Sequence, residues 1–422
     1  MSNSYLIRNA TIVNQGHSNH LEKRDIHVLN GKIQSIDSNI NFKGTEIVGD
    51  DLFVSIGWTD LKVHLSDPGF EYKDSLESIL ETAAASGYTG VCTLPNTQPR
   101  VTNKSIVKYL LKNAEGKLTS LFPLGMISED NSSENMAELF DMHSAGAIGF
   151  TNGDTTLKNG LLKKALLYCK PFNGKVISQP LDTSLHQGGV VNESDTTIHT
   201  GLKASPSIAE FLAVQQQIEI AKYCNAGLHI SGISCKESVE SIKQAKADGV
   251  EITCDASIFN LCFTDKEILN FDENFKVFPL LRTEEDRLAL VKGVNSGVID
   301  AISSNHYPQN IESKRVEFDY ADFGALSLPF MYSWYLDFLS KDIKIETFIS
   351  KISKDACNVL GLELAKIKEG EQANLTVFDA GKKWVFNKDS NESLSVNSHE
   401  FNKELTGCVI ATFNNNKIKI KQ

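Results

Sequence analysis

The sequence predicts an α/β fold, a (β/α)8 TIM barrel carrying a small composite β-sandwich domain formed by both chain ends. Three observations predict it. Strand-like and helix-like patterns alternate eight times between residues 53 and 364, the repeat of a parallel barrel. The flanking segments, 1–52 and 365–422, both read as β and are too short for cores of their own. At 422 residues the chain has room for a large α/β unit and a minor domain. An open doubly wound sheet is the alternative arrangement of the same alternation.

In chain order, the first segment offers Tyr5-Leu6-Ile7, Ala10–Val13, Asp25–Leu29 and Lys32–Ile36 as short strands. Asn30-Gly31 between the last two is a hairpin signal, because both residues tolerate the positive φ that a tight turn needs. The last segment offers 374–378, 407–413 and 417–420, with Asn414-Asn415-Asn416 as a turn. Between them the strand candidates are 56–64, 89–94, 120–126, 147–151, 175–179, 227–231, 251–255 and 298–304. Helical patterns follow at 74–86, 103–114, 133–144, 158–170, 206–224, 236–248, 284–296 and 325–339. Asp74 and Thr283 are the expected N-caps. Thr283 and Asp286 fit a capping box loosely, with Asp for the usual Glu.

Composition narrows the function. The net charge of −11 disfavours nucleic acid and anionic membranes as partners. No run of about 18 apolar residues is present to span a bilayer. Met1-Ser2-Asn3-Ser4-Tyr5 lacks the basic and apolar regions of a secretory leader. The eight cysteines are scattered, with no Cys-x-x-Cys. Cys92, Cys254 and Cys408 fall in apolar runs, as reduced core thiols do. A cytoplasmic protein is expected.

In such a barrel the functional face lies at the C-terminal ends of the strands. The ends offer Lys62 and His64, Asn96, Asn152 and Asp154, Gln179, His229 and Ser231, Asp255, and Asn305 with His306. The set is rich in amides and hydroxyls. Lys62 stands out. Alternate strand residues share a face, so His-x-His at a strand end grips one metal ion. Here the first position carries an amine, which as an ammonium has no lone pair to give. Its ammonium would tie the site together through Asn305, Gln179 or Asp255. The plainer alternative is an exposed strand-end residue without a role. His229 reads as a satisfied core histidine and His306 as a loop residue. The clusters Glu284-Glu285-Asp286 and Asp272-Glu273 read as solvated charges.

Four motifs carry a resemblance. Asp60–Lys73 is similar to D-x-H-x-H-L-R-E-P-G-x-x-x-K, and Leu94-Pro95-Asn96-Thr97-Gln98-Pro99 to M-P-N-T-x-P. Leu281–Arg287 matches L-R-T-x-x-D-R, and Ile367–Leu375 is similar to I-x-x-G-x-x-A-D-L. Through them nearly the whole chain resembles dihydroorotase of the long, aspartate-transcarbamoylase-associated type, in the amidohydrolase superfamily. The resemblance implies a barrel with a split β-domain and a zinc-dependent cyclic amide hydrolase.

The departures fall on the chemistry that the resemblance implies. Lys62 replaces the first metal His, while His64 alone survives as a family ligand. Asn152 stands where a strand-four carboxylate is expected, with Asp154 displaced. Gln179 and Gly232 replace two further metal histidines, and Asn305 replaces the catalytic Asp, which cannot then act as base. Ser66, Phe278 and Gln309 replace substrate anchors. Asn96 and Gly189 are kept. The expected ligand contacts are therefore Asn96, His64, Lys62 and Gly189, with Gln179, Asp255, His306 and Gln309 in a vestigial pocket. These replacements imply a non-catalytic dihydroorotase-like protein of pyrimidine biosynthesis, a structural or regulatory partner of aspartate transcarbamoylase. A homo-oligomer is expected, with no metal or cofactor. The competing expectation is an active amidohydrolase with a reduced zinc site, interconverting dihydroorotate and carbamoyl-aspartate. A third is a sensor binding a pathway metabolite through Asn96, His64 and Lys62.

Overall fold

The computed structural model describes residues 3–130 and 134–421. Residue 133, where the third helical pattern begins, and Met1-Ser2 of the leader reading lie outside them. Among the described residues eight parallel strands stand in a nearly closed ring: Trp58–Val63, Tyr88–Thr93, Ser120–Met126, Gly149–Thr151, Lys175–Ser178, Leu228–Ile230, Ile252–Ser257 and Ala301–Ser303. Each sequence candidate contains or overlaps its strand. Closure comes from a parallel bridge between Val63 and His306, where the His64 amide donates to the His306 carbonyl at 2.9 Å. The doubly wound alternative is thereby set aside.

Helices lie between the strands because their apolar faces need the outer surface of the ring. Glu284–Ser296 begins with a reciprocal capping box between Thr283 and Asp286. Asp286 is buried, so it is not a solvated charge as expected. Asp74 is not the cap of the first barrel helix, Leu76–Ala85. Ser75 is, in a capping box with Ser78. Asp74 is fully buried instead, accepting from Ser393 at 2.6 Å. The helical pattern at 325–339 begins only at Leu328, as a short 3-10 turn with Pro329 in its first turn, where the missing N–H costs no helical hydrogen bond.

Both chain ends contribute to one eight-stranded sheet, whose main path runs from Lys417–Ile420 to Lys32–Asp37. Asn30 and Gly31 have φ of 50° and 76°, and Asn415 and Asn416 have 50° and 59°, as two tight hairpins require. The strand Leu52–Ile56 also belongs here, pairing with Leu375–Asp379. The boundary after residue 52 therefore moves to Gly57. A side chain at Gly57 would collide with Asn374 Oδ1 and Thr89 Oγ1, so the crossing into the barrel needs glycine. The two parts are tied by Thr376 Oγ1 donating to the Gly87 carbonyl at 2.6 Å and Asn414 Nδ2 to the Leu118 carbonyl at 2.8 Å. All eight cysteines are free and buried. Among the described residues no helix is long and apolar enough to cross a membrane.

Candidate functional site

Every residue of Trp58–Val63 is buried. Asp60 reaches across to strand eight, accepting from the Ser304 amide at 3.0 Å and from the Ser304 hydroxyl. Burial pushes its carboxyl up to about 6, against the Ser304 hydrogen bonds. Lys62 is 3% exposed, so it is not an exposed strand-end residue. Burial pushes its amine down, while Asp255, Asp154 and Asp60 pull it back. The expected ties to Asn305 and Gln179 do not form. Asn305 Oδ1 and Gln179 Nε2 are buried without a partner.

Asp255 on strand seven is completely buried. One oxygen faces His229 Nε2 at 3.0 Å and the Gly232 amide at 3.2 Å. The other accepts from Ser303 Oγ at 2.5 Å. Burial raises its carboxyl, but His229, Ser303 and Lys62 outweigh this and hold it below the usual carboxylate range. His229 is indeed satisfied, through Asp255 and Thr253. Gly232 has φ +74°, and a Cβ there would stand 3.0 Å from Pro279 Cγ and 3.6 Å from Lys62 Nζ.

A cavity of about 400 Å³ opens at the barrel mouth. His64 stacks on Tyr307 with ring centroids 3.6 Å apart and planes 7° off parallel. Its Nδ1 lies 3.5 Å from Asp154. Asn305 and Gln309 line the same space. Asn305 holds φ +54°, a conformation that Asn tolerates. Its Nδ2 donates to the Phe278 carbonyl at 3.0 Å, and Gln309 Nε2 to the Phe323 carbonyl at 2.6 Å. At the rim Lys73 Nζ lies 3.4 Å from Asp322.

Of the residues singled out from sequence, the cavity thus gathers His64, Asp154, Phe278, Asn305 and Gln309. Lys62, Asp255 and Gln179 are not in its lining. Asn96 uses its amide on the strand-four turn, meeting the Asn152 carbonyl and the Asp154 amide, each at 3.3 Å. Gly189 packs on Ala204, whose backbone a Cβ would meet at 2.6 Å. His306 is neither a loop residue nor a pocket residue. It is fully buried, and its Nδ1 accepts from the Ser327 and Leu328 amides. Tyr307, His186, Lys73, Asp322 and Phe323 line the cavity and were missed. Lys73 carried a signal as the last residue of the Asp60–Lys73 motif, and Tyr307 as the neighbour of His306.

The donors do not fit the zinc that the resemblance implies. Asp255 is saturated by protein donors, and His64 is stacked and paired with Asp154. Zinc needs three or four such donors converging. Among the described residues no group of three or more His, Cys, Asp or Glu side chains could hold a metal ion.

Comparison with known proteins agrees with the architecture. Residues 52–238 match the family described as dihydro-orotase-like. The chain is 37% identical over 420 residues to a dihydroorotase of Caldicellulosiruptor saccharolyticus, covering 98% of this chain and 97% of that one. It is 34% identical over 402 residues to a dihydroorotase of Aquifex aeolicus, covering 94% of each. Among solved structures it is similar to an L-hydantoinase from Arthrobacter aurescens, with a TM-score of 0.84 at 21% identity over 99% of this chain and 96% of the other. That likeness is one of fold.

Proposed function

The chain belongs to the dihydroorotase family, and we propose that it is a non-catalytic member, a structural or regulatory partner of aspartate transcarbamoylase. One observation carries the loss of catalysis. A buried amine, Lys62, lies against Gly232, and both stand where the family resemblance implies metal histidines. Asn305 cannot take a proton from an attacking water. The partner follows from the resemblance to the long, partner-associated dihydroorotases. The test is direct. Zinc-replete protein should show no chelator-sensitive turnover of dihydroorotate or carbamoyl-aspartate. It should co-elute with aspartate transcarbamoylase of the same cell. Turnover abolished by chelation, or separate elution at high concentration, would defeat the corresponding half.

A second reading has its own support. The relatives that match across almost the whole chain are named dihydroorotase, which favours an active cyclic amidohydrolase. The turnover assay separates the two.

A further inference from the structure

Two surfaces on the outer ring of helices carry opposite charge over an apolar ground. The first centres on Asn159–Cys169, the helix after strand four. Its outward face is made of Lys163, Lys164, Leu167 and Tyr168, all exposed. Tyr168 and the exposed Phe140 of the preceding helix both meet Phe172 edge to face, at 6.0 and 5.4 Å. On the other side Lys163 Nζ lies 6.0 Å from the centre of the Tyr223 ring, which is 76% exposed. Single apolar residues are ordinary on a surface, but a run of large rings marks a contact face. Its charge is unusual as well. The chain carries a net −11, yet neither Asn159–Cys169 nor the helix Lys104–Ala114, two helices earlier, holds an acidic residue.

The second surface is a groove of about 990 Å³ formed by the helices Ile208–Cys224, Lys236–Ala247 and Glu284–Ser296. Phe211, Ile218, Ala245 and Leu288 make it apolar, and five carboxylates stand in its lining against three lysines. One of those lysines, Lys236, is already held by Glu285 at 2.7 Å. The groove is thus apolar and net acidic, where the first face is apolar and basic.

We infer that the two surfaces are halves of one contact, the basic aromatic face of one copy of this chain seated in the acidic groove of the next. A two-fold contact would bring like charges together, basic face on basic face or groove on groove. The association is therefore head-to-tail. The face centres on the helix after strand four and the groove on the helix after strand six, two steps around an eight-stranded ring, or about 90°. Head-to-tail contacts at that angle close at about four copies. The contact lies outside the barrel, so it stands with either reading of the mouth.

Sedimentation velocity of the purified full chain tests it. The unaltered protein should run as an assembly of about four chains at about 50 μM. Tyr168→Glu on the face and Leu288→Glu in the groove should each give monomers. Both side chains are exposed, so neither change disturbs the core. Mixed in equal amounts, the two variants should recover a species of two chains, because each keeps the half that the other has lost. An unaltered chain that stays monomeric would overturn the inference, and so would an assembly that either variant leaves intact. A mixture that remains monomeric would do the same, since only a head-to-tail contact is rescued in this way. Binding of the monomer to vesicles of phosphatidylcholine and phosphatidylserine in equal parts, lost in Tyr168→Glu, would assign the face to an anionic membrane instead.

Discussion

The Lys62 ammonium nitrogen lies 3.6 Å from the point where a side chain on Gly232 would begin. The two residues come from strand one and the loop after strand six. One has grown a long side chain where the other has none. Residue 232 also holds φ +74°, which only glycine adopts without strain. Lys62 and Gly232 therefore form one packing unit in the barrel mouth.

A double-mutant cycle should expose that unit. Gly232→Ala is expected to cost about 1–2 kcal/mol from left-handed backbone strain, with crowding of Pro279 added. The added Cβ would touch Lys62 Nζ at an ordinary 3.6 Å, so in the Lys62→Ala background it loses that contact and borders a cavity. The coupling measured by urea unfolding should exceed about 0.5 kcal/mol. Strict additivity would mean that the two residues do not share the space.

Lys62→Met should have a pH-dependent cost. The Asp60 carboxyl rises from 3.8 to about 6 on folding, so the folded state binds the proton more tightly. Through this group stability is greatest below pH 3.8, falls as pH rises to about 6, and is level above. Lys62 favours the charged form of Asp255 and, more weakly, of Asp60. Without it Asp60 rises further, Asp255 loses part of what holds it below the usual range, and the fall extends beyond pH 6. The variant should lose roughly 1–3 kcal/mol at pH 8 and less at pH 5. Equal losses at the two pH values would show that Lys62 acts by packing alone.

Restoring donors tests the metal argument. Lys62→His alone should leave the protein with far less than one zinc after dialysis, because Asp255 stays saturated by His229 and Ser303. Lys62→His, Gln179→His and Asn305→Asp together should bring it toward about one ion per chain. Elemental mass spectrometry reads both. Stoichiometric zinc in the unaltered chain would contradict the donor count.

The barrel was legible because its strands and helices alternate with clear periods, and the terminal sheet because turn residues stand where positive φ is needed, as at Asn30-Gly31. The capping role of Thr283 was legible for the same local reason. The cap at Ser75 was not, since Asp74 is drawn off by Ser393, 319 residues away. The boundary at Gly57 hid inside one apolar run shared by two sheets. The site was legible as a set of departures: Lys62, Gly232 and Asn305 each break a motif. Its cavity was not. Lys73 and Asp322 meet across 249 residues, and the orientation of the Asn305 and Gln309 amides is fixed by carbonyls on other loops.

His306 should govern stability in acid. It is fully buried, and burial together with the nearby His64 pushes its ring from 6.5 down to about 3. Its Nδ1 already accepts two backbone hydrogen bonds, so the folded state holds it neutral. The unfolded chain takes up a proton below pH 6.5, and the folded chain does so only near 3. Stability from this group is complete above pH 6.5 and falls as pH drops through that window, by about 1.4 kcal/mol per unit at most. His306→Asn keeps an acceptor for the two amides and removes the titration. Its cost should thus be largest at neutral pH and shrink by pH 4, as read from urea midpoints. Proton NMR should show one imidazole that stays neutral down to pH 4. A His306 resonance that titrates near 6.5 would mean that the ring reaches water and that the closed seam between Val63 and His306 opens.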